Sequence, residues 1–131
     1  MLIDENTRTT SRVVVVEDDP TIAWLIAVTL ADEGYTPVVV HNGRAALRAV
    51  AELRPAVITL DLQLPDLDGH AVLRHISEVT LADRPRVVVV SSDAEWLTQE
   101  ERRAVAGALS KPFDLSDLIR AVRSAPERRA S

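Results

Sequence analysis

The sequence predicts an α/β fold: a doubly wound, five-stranded parallel sheet with helices on both faces. Three short apolar runs, at 13–16, 57–60 and 87–90, are typical of strands buried on both faces of a parallel sheet. Segments with helical patterning separate these runs, which gives the βα repeat of such folds. With 131 residues, the chain has room for one domain. We expect right-handed crossovers and the strand order 2-1-3-4-5.

The first helix follows the strand at 13–16. Asp19 can cap a helix, and Pro20 suits its first position because proline lacks the backbone N–H that would be unpaired there. One helical face then carries Ile22, Leu25, Ile26, Thr29 and Leu30. Gly34 can end the helix, and the β-branched residues of 36–40 predict the second strand.

The middle of the chain repeats this alternation. Asn42 can cap a second helix that runs to Glu52, and a third strand follows at 56–60. The segment 65–69, with the sequence PDLDG, predicts a loop before a third helix of about two turns. The apolar run at 87–90 is the fourth strand.

The last third completes the fold. Propensity predicts one helix over 94–106 and a minimal fifth strand over 108–110. Ser116 can cap a final helix that turns inward the apolar residues Leu118, Ile119 and Val122. We expect one domain over 12–125, between a flexible N-terminal tail at 1–11 and a C-terminal tail at 126–131.

Composition excludes several classes of function. The chain has no cysteine, which rules out disulfides, thiolate metal sites and thiol catalysis. Its net charge of −5 and the lack of a basic stripe argue against nucleic-acid binding. It has no signal-peptide pattern and no apolar stretch of the roughly 20 residues that cross a bilayer. We therefore expect a cytoplasmic protein with protein partners, without nucleic-acid or membrane contact.

Reactive side chains follow four of the five strands. Glu17 and Asp18 follow the first strand, Asp61 the third, Ser91 the fourth and Lys111 the fifth. Ligands of open α/β sheets bind beyond the carboxyl ends of the strands, so these residues are expected to share one crevice. Three carboxylates carry a charge of −3, which Mg²⁺ and one ammonium group would balance. Carboxylate oxygens are also the hard ligands that Mg²⁺ prefers.

Each of these residues also has a simpler structural explanation. Asp18 could serve the N-terminus of the first helix, the role that we assign to Asp19. Asp61 could cap its loop, Ser91 could bond within a local turn, and Lys111 could be a solvated cation. A lysine is badly placed beside the positive end of a helix, however, and three acids exceed what one cap needs.

Taken in order, these residues resemble the receiver domain of bacterial response regulators, which act in two-component phosphorelay signalling. The matching features are Glu17-Asp18, Asp61 within DLQLPDLDG, Ser91 after VVVV, and the Lys111-Pro112-Phe113 segment. The resemblance covers nearly the whole chain, and it implies the flavodoxin-like (βα)5 fold. It also implies a cis peptide bond before the proline.

The resemblance implies a role for each residue of the crevice. Asp61 would accept a phosphoryl group from a phosphohistidine of a histidine kinase or a histidine phosphotransfer protein. Mg²⁺ would be held by Glu17 through waters and by Asp18, Asp61 and the backbone carbonyl of Gln63. Lys111 would neutralise phosphoryl oxygens, and the Ser91 hydroxyl would bond one of them. The protein would catalyse its own phosphotransfer and dephosphorylation without being an enzyme.

One position departs from the family pattern. Receiver domains usually carry Tyr or Phe three residues before the lysine, and this chain has Ala108. We therefore keep two functions open: a stand-alone phosphorylated receiver that signals through protein contacts, or an interaction module with a weak phosphorylation switch. A dehalogenase-like phosphatase is disfavoured because Gln63 replaces its second Asp, and flavin binding because acids follow the first strand. The oligomeric state is expected to be monomer or weak dimer.

The remaining histidines and tryptophans receive minor roles. His41, His70 and His75 lack a metal-ligand spacing and are expected to be solvated or in loops. Trp96, on the helix predicted over 94–106, is expected in the core, with a partner contact as the alternative. Trp24 is expected at the edge of the first helix, the face that family members offer to their phosphodonors.

Overall fold

A computed structural model describes residues 12–124 as a parallel sheet flanked by helices. The strand order is β2-β1-β3-β4-β5, as the sequence predicts. The strands are β1 (Arg12–Val16), β2 (Thr36–Val40), β3 (Val57–Leu60), β4 (Arg86–Ser91) and β5 (Gly107–Ser110). The expected tails, 1–11 and 126–131, lie outside the described residues.

Five α-helices connect and follow these strands. They are α1 (Pro20–Asp32), α2 (Gly43–Leu53), α3 (Gly69–Ser77), α4 (Gln99–Ala104) and α5 (Leu115–Ser124), with a 3₁₀ turn at Ala94–Trp96. No helix within residues 12–124 combines the length and the apolar character needed to cross a membrane.

The core has two halves because neighbouring residues of a strand point to opposite faces of the sheet. Val13 and Val15 pack on one face against α1 and α5, whose main buried residues there are Ile26, Leu30, Leu118 and Val122. Val14 and Val16 pack on the other face against α2 and α3. Both faces of the central strands are therefore covered, which leaves the strand ends as the place for a polar site.

Helix α1 begins as predicted but buries a different face. Asp19 accepts hydrogen bonds from the backbone N–H groups of Thr21 and Ile22, at 2.9 and 3.1 Å. Gly34 ends the helix region with a φ of 97°, a conformation that favours glycine. The prediction that Leu25 faces the core is wrong: Leu25 is exposed, and Ala23 is buried in its place.

The single helix predicted over 94–106 is also wrong. The chain forms a 3₁₀ turn, becomes extended at Leu97, and restarts as α4 after Thr98. Leu97 is buried, so core packing fixes the break that propensity does not reveal. Thr98 and Glu101 then form a reciprocal capping box. As a result Trp96 is 71% exposed, not in the core as expected.

The β5–α5 connection holds one confirmed feature and one correction. The Lys111-Pro112 peptide bond is cis, as the family resemblance implies. Helix α5 begins at Leu115, so Ser116 lies in its first turn and is not the cap. The backbone carbonyl of Asp114 instead accepts from Asp117 and Leu118, which starts the helix two residues before Ser116.

Candidate functional site

Three carboxylates converge where β1 and β3 end. Val16 and Leu60 are register partners in these neighbouring strands, and the acids follow directly after them. One oxygen from each of Glu17, Asp18 and Asp61 lies within 4.8 Å of the others. The sequence predicts this cluster because the carboxyl ends of adjacent parallel strands lie side by side.

The side chain of Lys111 reaches this acidic cluster from the far end of β5. Its Nζ lies 2.7 Å from Oε1 of Glu17 and 3.0 Å from Oδ2 of Asp61. Burial by itself lowers the pKa of Lys111, but the two carboxylates outweigh burial and hold that pKa above its ordinary value. Lys111 is therefore a cation in the site at neutral pH.

Glu17 is the most constrained acid of the cluster. It is 1% exposed, and burial raises its pKa to about 7 against the lowering effect of Lys111. Its Oε2 accepts from the backbone N–H of Asp19 at 3.1 Å. Its Oε1, although close to the lysine, has no partner in hydrogen-bond geometry among the described residues.

These observations test whether a divalent cation fits. The lysine offsets one of the three negative charges and leaves two, which is the charge of one Mg²⁺ ion. Oε1 of Glu17 already forms an ion pair with the Lys111 ammonium, whereas the Asp18 carboxylate has no hydrogen bond or ion pair within residues 12–124 and can bind a second cation. All three acids offer the hard oxygen ligands that Mg²⁺ prefers. The residues present therefore fit a magnesium site.

The surrounding backbone holds Asp61 in place. Asp61 is 3% exposed, and its Oδ1 accepts from the backbone N–H of Gln63 at 3.0 Å. The N–H of Gly69 donates to the carbonyl of Leu62 at 2.8 Å. A Cβ atom at residue 69 would lie 2.6 Å from the Asp61 carbonyl oxygen, so only glycine permits this approach.

Ser91 ends β4, the strand that pairs with β3 on the side away from β1. It is fully buried, and its Oγ accepts from the backbone N–H of Asp93 at 3.2 Å. The hydroxyl hydrogen is not used by that bond and can be donated. The local-turn explanation and the phosphoryl-binding role are therefore compatible. Gln63 is exposed beside Asp61, and the role of its carbonyl stays a prediction.

Ala108 occupies an exposed position in β5, opposite Val89 of β4. Neither it nor the neighbouring Gly107 carries a side chain large enough to change the packing when it moves. Residue 108 therefore lacks the aromatic ring that the family resemblance leads us to expect at this position.

Sequence reasoning missed several polar contacts around the site. Nδ1 of His41 lies 3.0 Å from the carbonyl oxygen of Glu17. Nδ1 of His70 lies 2.7 Å from Oε2 of Glu101, which joins α3 to α4. Asp66 accepts from the backbone N–H groups at the start of α2. No local sequence signal announces such contacts, since each joins residues at least 22 positions apart.

Comparison with known proteins identifies the family. A model of the response regulator receiver domain matches residues 13–123. The chain belongs to the response regulator receiver domain family, whose members accept phosphate from histidine kinases in two-component signalling.

Individual relatives agree with this assignment. The DNA-binding response regulator MtrA of Mycolicibacterium smegmatis is 34% identical over 116 residues, covering 86% of this chain and 49% of MtrA. The solved structure of a sensor protein from Polaromonas sp. JS666 is 35% identical, with a TM-score of 0.79 and coverage of 87% and 94%. The receiver domain of a sensor histidine kinase from Pseudomonas aeruginosa is 27% identical, with a TM-score of 0.75 and coverage of 88% and 97%.

Two features of these relatives bear on the expectations from sequence. The Pseudomonas receiver domain was solved with a magnesium ion coordinated in its active site cleft. The chain spans about half the length of MtrA, a DNA-binding protein. The expected absence of nucleic-acid contact therefore gains no support from the relatives.

Proposed function

We propose that this protein accepts a phosphoryl group on Asp61 from a phosphohistidine donor, with Mg²⁺, and passes the signal on through protein contacts. The observation that carries the proposal is the buried Asp61 carboxylate, held beside two further acids and the Lys111 ammonium. A buried cluster with net negative charge is unfavourable for folding alone, so its assembly points to a function.

In the proposed reaction, an Asp61 carboxylate oxygen attacks the phosphorus of the donor phosphohistidine. An O–P bond forms while the N–P bond breaks, and its electron pair returns to the donor imidazole. The Lys111 ammonium offsets negative charge on the phosphoryl oxygens, and the Ser91 hydroxyl donates to one of them. The protein's contribution is positioning and charge compensation.

Mg²⁺ enters the proposal through the acidic cluster. Asp18, Asp61 and the Gln63 carbonyl would bind it, with Glu17 holding its waters, and the ion would supply charge neutralisation on the phosphoryl oxygens. The fit of the three carboxylates and the magnesium-containing Pseudomonas relative both support this assignment.

Acetyl phosphate tests the phosphoacceptor directly because it needs no protein donor. We expect Mg²⁺-dependent labelling of the wild type and none of Asp61→Asn, which keeps the shape of the side chain but is a poor nucleophile. Lys111→Ala is expected to retain some labelling. Equal labelling of the wild type and Asp61→Asn would remove Asp61 from its proposed role.

The donor would dock on α1. Three apolar side chains of this helix, Trp24, Leu25 and Val28, are exposed, and Trp24 is 64% exposed. An exposed tryptophan in an apolar patch is typical of protein contact sites. The family resemblance assigns this face to phosphodonors, and the helix starts directly after the acidic loop.

A second candidate function rests on Ala108. Without a ring at this position, phosphorylation could change the protein little, and the domain would then act mainly as an interaction module. Amide shifts measured with and without a phosphoryl mimic separate the two functions. We expect small or differently placed changes, and large changes throughout α4 and β5 would contradict a weak switch.

The wider setting of the protein belongs to the same proposal. We place it in the cytoplasm, which agrees with the absence of cysteine from the chain. We expect it to be a monomer or weak dimer. Any segments joined to the domain would determine which partners it binds besides the phosphodonor, as the longer DNA-binding relatives illustrate.

A further inference from the structure

The corner between β2 and α2, residues 41–44, follows the edge strand β2, next to the strand that leads into the first acidic loop. The β1–α1 loop carries Glu17 and Asp18, and the β3–α3 loop follows Asp61. The corner carries no predicted site residue, yet it makes hydrogen bonds to both loops. We propose that this corner positions the acidic loops for cation binding, with His41 and Asp66 as positioning residues. The proposal rests on the magnesium site of the proposed function.

His41 fixes the first acidic loop. Its Nδ1 lies 3.0 Å from the backbone carbonyl oxygen of Glu17, and a carbonyl can only accept, so Nδ1 carries the hydrogen. The N–H of Glu17 donates to the carbonyl of Val40, the residue directly before this histidine, at 3.1 Å. Both backbone polar groups of Glu17 are thereby tied to the end of β2.

Asp66 fixes the second acidic loop to the same corner. Its Oδ1 accepts from the N–H of Gly43 at 2.8 Å, and its Oδ2 accepts from the N–H of Arg44 at 3.2 Å. A further bond from the N–H of Leu67, at 2.7 Å, holds the carboxylate within its own loop. These backbone donors keep the pKa of Asp66 below its ordinary value, against the opposing effect of desolvation.

The packing at Gly43 strengthens this connection. A Cβ atom at residue 43 would lie 2.7 Å from the carbonyl oxygen of Leu67, closer than side-chain carbons approach oxygen in proteins. Glycine therefore lets the start of α2 lie directly against the β3–α3 loop. Direct pairing of β1 and β3, with the N–H of Asp61 donating to the carbonyl of Val16 at 3.1 Å, holds the starts of the two loops side by side. The corner adds a second connection between these loops, because it bonds to both of them.

Titration with Mg²⁺ alone, followed by amide chemical shifts in two-dimensional NMR, tests the proposal. We expect His41→Ala to weaken Mg²⁺ binding about fivefold, the effect of losing one hydrogen bond. Asp66→Ala loses two bonds to the corner, so we expect it to weaken Mg²⁺ binding by at least as much. His41→Asn is expected to restore most of the affinity, since its amide N–H can reach the same carbonyl. The two effects should add, because each residue fixes a different loop.

Matched controls come from the same chain. Nδ1 of His75 contacts the carbonyl of Ala71 within α3, and Asp68 caps only its own helix, so His75→Ala and Asp68→Ala should leave Mg²⁺ affinity unchanged. A role in stability alone predicts the opposite: His41→Ala and Asp66→Ala would lower the unfolding temperature without changing Mg²⁺ affinity. That result would overturn the proposal, as would a His41→Ala protein that fails to fold.

The outcomes also separate this proposal from the proposed function. Wild-type Mg²⁺ binding with unaltered affinity in both corner variants would refute the positioning role alone. Wild-type protein that binds no Mg²⁺ would refute the cation site, and the positioning role with it. If Mg²⁺ binding is weakened in the His41 and Asp66 variants but acetyl phosphate does not label the wild type, the positioning role is supported and Asp61 is removed as the phosphoacceptor.

Discussion

Replacing Asp18 by Asn should stabilise the protein without Mg²⁺ and destabilise it, relative to the wild type, with Mg²⁺. Asp18 is exposed, and it makes no hydrogen bond or ion pair within residues 12–124. One of its oxygens lies within 4.8 Å of oxygens of Glu17 and Asp61. The substitution removes a negative charge from this cluster and keeps the shape of the side chain.

The magnitude follows from Coulomb's law. Two unit charges 4.8 Å apart repel by about 0.9 kcal/mol in bulk water, and Asp18 has two such neighbours. Attraction to Lys111 offsets part of this repulsion, which leaves about 1 kcal/mol of stabilisation for Asp18→Asn. At a hundredfold excess of Mg²⁺ over its Kd, bound Mg²⁺ stabilises the wild type by about 2.7 kcal/mol. If the loss of this ligand weakens Mg²⁺ binding tenfold, the same Mg²⁺ concentration stabilises Asp18→Asn by only about 1.4 kcal/mol, so the order of stability reverses.

Urea unfolding in EDTA and in Mg²⁺ measures both effects. A pH near 8 is suitable because Glu17, with a pKa of about 7, is then ionised. Asp19→Asn is the matched control: Asp19 caps α1, a role that Asn fills equally well, so both conditions should resemble the wild type. The reasoning is refuted if Asp18→Asn is less stable than the wild type in EDTA, or if Mg²⁺ stabilises both proteins equally.

Three further predictions concern other parts of the molecule. Thr59→Val should raise the free energy of unfolding by about 1 kcal/mol, because the buried Thr59 hydroxyl has no hydrogen-bond partner among the described residues. A loss of stability in urea unfolding would contradict this prediction. Trp24→Ala should lower the rate of phosphotransfer from a phosphohistidine protein about tenfold or more and leave acetyl phosphate labelling unchanged. Trp96→Ala is the control: this residue lies on the other side of the sheet, and its replacement should alter neither rate. Gly69→Ala should lower the free energy of unfolding, measured in urea, by about 3 kcal/mol or more, because its Cβ would lie 2.4 Å from Cα of Leu62. A loss of only about 1 kcal/mol, typical of a glycine without such a contact, would show that the loop can move away.

Much of the fold could be predicted because local and global preferences agree in this chain. Asp19-Pro20 starts α1 and Asn42 starts α2 as their cap chemistry indicates. The apolar runs mark the buried strands, and the residues after them converge because parallel strands end at one edge. The cluster of Glu17, Asp18 and Asp61 with Lys111 was thus accessible from order and spacing.

The incorrect predictions for residues 94–106 and for the buried face of α1 share one cause, which is packing that overrides propensity. Residues 94–106 suit a helix locally, but burying Ala94 and Leu97 against the sheet leaves the chain extended between two short helical segments. The same break turns Trp96 outward. On α1, Ala23 is buried and Leu25 is exposed, because packing against the sheet, and not the helical pattern alone, determines which face of the helix is buried.

By itself, the sequence determined the fold class and the identity of the residues around the crevice, because periodicity and strand-end position are local properties of the chain. The strand order matches the expectation, but it is a non-local property that the pattern along the chain does not encode. Only the tertiary structure decided how those residues are held. The bonds from His41 to Glu17 and from Asp66 to Gly43 join residues 24 and 23 positions apart. No pattern along the chain encodes such bonds, since they depend on which loops the folded sheet brings together.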